Sequence, residues 1–246
     1  MKAVSVSDVS KKFNIGFKKD QGALSRLISA VSDRGAKKEI QVLKNISFEV
    51  STGEVFGLVG RNGSGKSTLL RIIAGIYCPD SGRVFANGRV DYLSGLNNGL
   101  SSKLTMKENI FLMGSLIGLN RKQISDRFDE IVEFSGLEDF VYTKVYQFSS
   151  GMLTRLGFST TIHCLNFFQS DVLLLDEIFG SGGDIDFEKN AGKKMAEFIN
   201  GGAAVILASH NLQTVKNYCN KVVLLDKGEV IDSGSPEEVV EKYINL

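Results

Sequence analysis

The chain has 246 residues, 43% of them hydrophobic and 23% charged, with 29 Lys and Arg against 28 Asp and Glu. A chain of this size can bury a substantial core, and its balanced charge lacks the basic footprint of a protein that wraps nucleic acid. Three scattered cysteines, Cys78, Cys164 and Cys219, argue against a disulfide framework and fit a reducing compartment.

The first element in chain order is a strand, expected where residues 3–9 alternate apolar and polar. A second is expected over IQVLKNISFE, residues 40–49. EVFGLVG (54–60) is a short apolar run ending in glycine, and a Gly/Ser/Asn loop follows it. KSTLLRIIAGI (66–76) then has helical periodicity, with Leu69, Leu70, Ile73 and Ile76 on one face. Pro79, Ser81 and Gly82 mark a turn before short strands such as RVFANGRV. Helical periodicity runs from Thr105 to Gln169. Beyond it, VLLLD (172–176) and AAVILAS (203–209) predict buried strands separated by a helix near 186–200. VVLLD (222–226) and EVIDSG (229–234) predict a hairpin around Lys227-Gly228, and a short helix closes the chain. Strand–helix alternation with an inserted helical block predicts an α/β core carrying a helical subdomain, without internal repeats. The amino-terminal MKAVSVSDVSKKF has no apolar signal-peptide centre, and Leu156–Ser170 is too polar to cross a bilayer, so any membrane role is expected through a partner.

Gly60-Arg61-Asn62-Gly63-Ser64-Gly65-Lys66-Ser67 fits G-x-x-x-x-G-K-[ST]. Glycines let consecutive backbone N–H groups close around phosphate oxygens, and the helix N-terminus adds partial positive charge. In that frame Lys66 reaches the β/γ-phosphates, the Ser67 hydroxyl holds Mg²⁺, and Thr68 completes the stretch. A Gly/Ser turn with an exposed lysine would carry the same letters. The strand before the loop and the amphipathic helix after it favour phosphate. Val172–Glu177 is an apolar strand ending in two acids; with a phosphate loop upstream, Asp176 becomes the expected Mg²⁺ carboxylate. Glu177 becomes the candidate general base for an attacking water.

Between these elements, Phe148-Ser149-Ser150-Gly151-Met152 precedes the helix-like LTRLGFSTTIH. Here the chain resembles the ATP-binding subunit of an ABC transporter, whose signature pentapeptide, most often L-S-G-G-Q, stands at this place. Ser149 and Gly151 match it; Phe148, Ser150 and Met152 depart. The resemblance implies one ATP-binding domain over residues 1–246: a P-loop NTPase core, an antiparallel β subdomain and a helical subdomain over about 100–170. It implies a homodimer in which Ser149, Ser150 and Gly151 cap the γ-phosphate of ATP bound to the opposite copy. His210 stands at the family's switch histidine, Phe13 at the aromatic that stacks on adenine, and Asp184 in the loop that links the two ATP sites.

The resemblance narrows to the polysaccharide-export branch through Gly-Arg-Asn-Gly in the loop, SSGM, the Gly-Asp pair and LTMKENIFLMGSLIGL (104–119). It implies two integral membrane permease subunits, a lipid-linked polysaccharide such as O-antigen as cargo, no nucleic-acid partner, and a peripheral place on the cytoplasmic membrane face. An importer or drug-exporter ATPase, or a nucleotide sensor without catalysis, is the alternative. Two departures stand out. Most members have a glutamine at the start of the helical subdomain, whereas VDYLSGL has none and Gly95 or a neighbour stands there; EIFGSGGD is one residue longer than usual. The chain ends soon after GEVIDSG, so glycan selection is expected elsewhere.

Residues 14–39 exceed the needs of a hairpin loop. Leu24, Leu27, Ile28 and Val31 make one apolar stripe, amid Lys18, Lys19, Arg26, Arg34, Lys37 and Lys38. This predicts either a surface helix packed on its own domain or a basic amphipathic element at the membrane face, against permease, anionic lipid or substrate. On the second reading, deleting residues 18–36 leaves ATP binding intact and abolishes export in a complementation assay; unchanged export rejects it.

Overall fold

The computed structural model describes residues 1–15, 38–94, 99–166, 170–177 and 185–245. The amphipathic stripe of Leu24–Val31, the position of Gly95, and Asp184 lie outside the described residues.

Strands β1 (Lys2–Ile15), β2 (Lys38–Ser51) and β4 (Ser81–Ala86) form an antiparallel sheet in the order β2-β1-β4. The first two are longer than alternation alone indicates. Register shifts interrupt the β1–β2 pairing between Val6 and Lys12, and Asp8 and Asn45 take positive φ of 50° and 49°. Each irregularity moves side chains to the other face, so strict period-two alternation ends near Val9 while backbone pairing continues to Ile15 opposite Lys38. Residues 14, 15, 38 and 39 are thus strand, at the base of the expected insertion.

Six strands make the central sheet, in the order β5 (Val90–Ser94), β6 (Val172–Asp176), β7 (Ala204–Ala208), β3 (Val55–Val59), β8 (Lys221–Asp226), β9 (Glu229–Gly234). All its pairings are parallel except β8–β9, whose turn has positive φ at Lys227 and Gly228 (46° and 81°), matching the twist of a tight hairpin. Every residue of β3, β6 and β7 is buried, because the sheet is covered on both faces. Alternate side chains divide between two cores. Val55, Val59, Leu173, Leu175, Val205 and Leu207 face helices α5 (Ser150–Asn166), α6 (Ile185–Asn200), α7 (Leu212–Tyr218) and α8 (Pro236–Ile244). Phe56, Leu58, Leu174 and Ile206 face helix α1 (Lys66–Ile73) and the antiparallel sheet. RVFANGRV, read as adjacent short strands, therefore supplies one strand to each sheet.

Helix α1 ends sooner than its periodicity indicates. Gly75 has φ 73° and closes the helix, so Ile76, expected on the buried face, is 56% exposed. A third core holds α2 (Met106–Ile117), α3 (Arg121–Ser125), α4 (Phe128–Ser135) and part of α5. Reciprocal caps start α2 (Thr105 with Glu108) and α3 (Asn120 with Gln123). Asn109 is fully buried; its amide donates to the carbonyls of Ser101, Leu104 and Thr105 and accepts from the Ser101 N–H, which fixes the entry loop.

Candidate functional site

Strands β3, β6 and β7 all end at the same edge of the sheet, and the residues that follow them form one cleft. After β3 the chain turns under the N-terminus of α1. Gly65 has φ 110° there, and a Cβ on it would sit 2.6 Å from Leu43 Cδ2 and 3.0 Å from the Val42 carbonyl oxygen. Only glycine lets the loop pass so close to β2. The Lys66 side chain is 6% exposed, and its ammonium donates to the Gly60 carbonyl at 2.7 Å and lies 3.8 Å from Glu177 Oε1. Burial pulls the Lys66 pKa down, and the Glu177 and Asp176 carboxylates push it partly back.

Asp176 closes β6 with its carboxylate buried. Oδ1 accepts from the Ser67 hydroxyl (2.9 Å) and Oδ2 from the Tyr92 phenol (2.8 Å). Burial, with the Asp176 hydrogen bond behind it, raises the Tyr92 pKa. Glu177 takes a left-handed conformation, φ 56°, while its N–H donates to the Ala208 carbonyl at the end of β7. The φ is rare for a residue with a side chain and carries a cost of about 1–3 kcal/mol. It turns the carboxylate from the sheet toward the cleft, where Oε2 pairs with His210 Nδ1. A lysine, two carboxylates, a serine and an imidazole thus converge from three separate stretches of chain.

The cleft has a volume of about 860 Å³. Gly60, Arg61, Asn62, Gly63, Gly65, Lys66, Ser67 and Thr68 line it, with Glu177, His210, Val42 of β2 and Tyr243 of α8. Ser64 Oγ is buried with no hydrogen-bond partner. An unpaired buried hydroxyl costs about 1–3 kcal/mol, and an anion held in this loop would relieve it. Loop N–H groups, a helix N-terminus and an ammonium on one side of the cleft suit phosphate. Ser67 Oγ and the Asp176 carboxylate are hard oxygen donors suited to Mg²⁺. Among the described residues no group of three or more His, Cys, Asp or Glu side chains stands ready to hold a metal alone. A metal here would need phosphate oxygens and water to complete its shell.

The other expected site residues lie apart. Ser149 caps α5, its hydroxyl accepting from the Met152 N–H at 3.2 Å. Ser149 and Ser150 are exposed, Gly151 is half-buried, and none of the three lines the cleft. Phe13 sits on β1, edge-on to Tyr77 with centroids 5.6 Å apart and Lys11 over its ring, and it does not line the cleft either. Val42, Tyr243 and Tyr92 were not evident from motifs. The first two are brought to the loop by chain packing with no local signature, and Tyr92 through the pairing of β5 with β6, Ser94 opposite Asp176.

A family model described as ABC transporter matches residues 43–180, more than half the chain. The ABC transporter protein AbcA of Aeromonas salmonicida is 36% identical over 243 residues, covering 99% of this chain and 76% of that protein. The O-antigen export system ATP-binding protein RfbB of Klebsiella pneumoniae is 38% identical over 201 residues (82% of this chain, 80% of that protein). The teichoic acids export ATP-binding protein TagH of Lactococcus lactis is 39% identical over 236 residues (96% of this chain), and the chain spans only 49% of that protein's length. Among solved structures, a dimeric ATP-binding cassette in a post-hydrolysis state with ADP and Pi superposes with a TM-score of 0.72 at 20% identity, covering 95% of this chain and 98% of that one.

The lowered Lys66 pKa gives a testable sign. Between that value and 10.5 the unfolded chain holds a proton that the folded chain has released, so stability rises with pH across the window. Thermal melts from pH 7 to 10.5 should show this rise in the wild type and a shallower one in Lys66→Met. Parallel slopes would refute the burial account of Lys66.

Proposed function

The chain belongs to the ABC transporter family, and on that footing we propose that it is the ATP-hydrolysing subunit of an exporter moving a lipid-linked polysaccharide, such as O-antigen, across the cytoplasmic membrane. The observation that carries this is the single cleft where Lys66, Ser67, Asp176, Glu177 and His210 converge under a glycine loop. Relatives at 36–39% identity, two of them named for O-antigen and teichoic acid export, support the cargo class.

Residues Gly60–Thr68 would cradle the phosphates, Lys66 leaving the Gly60 carbonyl for the β/γ-oxygens. Val42 would offer an apolar wall to the nucleoside and Phe13 a stacking face; such stacking contributes about 1–3 kcal/mol per base. Ser67 and Asp176 would hold Mg²⁺, which when bound neutralises charge developing on the phosphates. Glu177 is tied to Lys66 and His210. A γ-phosphate would compete for the Lys66 ammonium and the His210 imidazole and release the carboxylate to take a proton from the attacking water. His210, 60% exposed at the cleft rim, would then face the transferred phosphate.

Within one chain the Ser149–Gly151 turn points no group into its own cleft. We assign it to the ATP of a second copy, where a capped helix N-terminus would meet the γ-phosphate. Asp184 would lie in the loop joining the two sites. No described helix is long and apolar enough to cross a membrane. Transport would therefore run through separate permease subunits, two in the full assembly, with this chain peripheral on their cytoplasmic side.

Two experiments test the reading. Glu177→Gln should bind ATP as the wild type does and lose at least 100-fold in steady-state hydrolysis with permease present; hydrolysis within tenfold of wild type rejects Glu177 as the base. Affinity purification from membranes should recover a polysaccharide-export permease, and recovery of an importer or drug-exporter permease instead rejects the cargo assignment.

A further inference from the structure

The Asp176 carboxylate is held from both sides, by the phosphate-loop helix and by strand β5. Ser67 and Arg71 stand one turn apart on α1, at i and i+4, and so project together. Ser67 Oγ bonds Asp176 Oδ1 directly (2.9 Å). The other oxygen, Oδ2, accepts from the Tyr92 phenol at 2.8 Å. Arg71 lies close enough to that phenol for the interaction to be the first cause that holds the Arg71 pKa above its ordinary value. Arg71 is in turn seated over the Tyr77 ring, 5.9 Å from its centroid. The phenol reaches the carboxylate because β5 and β6 run parallel with Tyr92 opposite Leu174 and Ser94 opposite Asp176.

We infer that Tyr92, with Arg71 beside it, is a positioning residue for the Asp176 carboxylate. This rests on the reading of Asp176 as the Mg²⁺ carboxylate and adds residues that no phosphate-loop or acidic-strand motif contains. The physical need is rotational. The terminal torsion of an aspartate is soft and roughly two-fold, and a carboxylate that meets a metal through one oxygen loses geometry if it turns. One hydroxyl from Ser67 leaves that rotation partly free. A second, on the other oxygen and from a different element, stops it.

The test uses the full-length protein, Mn²⁺ as a spectroscopic stand-in for Mg²⁺, and ADP. Mn²⁺ affinity of the ADP complex is read by electron paramagnetic resonance, metal-free ADP affinity by fluorescence in chelator, and folding by circular dichroism. Tyr92→Phe keeps the ring and removes the donor. It should weaken Mn²⁺ binding about 10-fold, the lower end of what partners of metal ligands contribute, and leave metal-free ADP affinity within twofold. Arg71→Met should weaken Mn²⁺ in the same direction, and Tyr92→Phe with Arg71→Met should be no worse than Tyr92→Phe alone, since both act through one hydrogen bond. Asp176→Asn separates the two readings. If it loses Mn²⁺ while Tyr92→Phe stays within twofold of wild type, the inference fails and the metal role of Asp176 stands. If Asp176→Asn binds Mn²⁺ normally, that role fails and the inference with it. A loss of metal-free ADP affinity equal to the Mn²⁺ loss in Tyr92→Phe marks a merely structural residue and also overturns it. Should Tyr92→Phe not fold, Arg71→Met decides: unchanged Mn²⁺ affinity is the overturning result.

Discussion

The hydrogen bond from Ser67 Oγ to Asp176 Oδ1 joins residues 109 apart in sequence, and most of the site depends on it. It ties the helix after β3 to the end of β6, although β7 lies between those strands. Such a bond forms only where strand ends are level, and the parallel register achieves this: Asp176 lies opposite Ala208 and Leu58 opposite the same Ala208. One-residue slippage of β6 would invert its faces, placing Val172 and Leu174 where Leu173 and Leu175 belong. Every residue of these strands is buried, so that slip is costly, and the polar edge inherits its alignment from apolar packing on both faces of the sheet.

Against that rigid frame the edge itself breaks local rules. Gly65 and Glu177 hold left-handed backbone, Lys66 is a buried cation, and Ser64 Oγ has no partner. The departures at Glu177, Lys66 and Ser64 cost stability, and each places a group where phosphate would meet it. The Glu177–Lys66 ion pair and the Glu177–His210 contact lower part of that cost by giving each side chain a polar partner. The same groups that satisfy one another are thus the ones a bound phosphate would separate. On the proposed reading, substrate binding and exposure of the base would be one event.

Legibility in the sequence followed the range of the interaction responsible. The phosphate loop, the acid-terminated strand and the β8–β9 turn are local patterns, and the structure holds their residues where local rules put them. The apolar spacing of helix α1 continues one turn past its end to Ile76, whereas Gly75 decides that end through backbone conformation. Alternation stops short of the end of β1 because bulges break it without breaking pairing. Tyr92 and Arg71 carry no motif at all; Tyr92 sits in an ordinary strand, and its meaning arises only when β5 docks on a strand far along the chain. Val42 and Tyr243 are the same case, apolar or aromatic residues delivered to the loop by tertiary packing.

Helix α5 shows how a remote element shares in the site. Its residues 156–165 are buried on every side, an unusual state for a helix whose apolar residues make no single stripe. Phe158, Ile162 and Leu165 enter the core beneath the central sheet, while Leu156 and Cys164 enter the core of the helical subdomain. The hydroxyls buried with them, on Ser159, Thr160 and Thr161, donate to carbonyls one turn back and need no partner outside the helix. A helix gripped by two cores cannot slide against either without opening a cavity, so its exposed N-terminus at Ser149 moves only as the helical subdomain moves. The position of that turn is therefore set by packing in both cores and not by loop rearrangement.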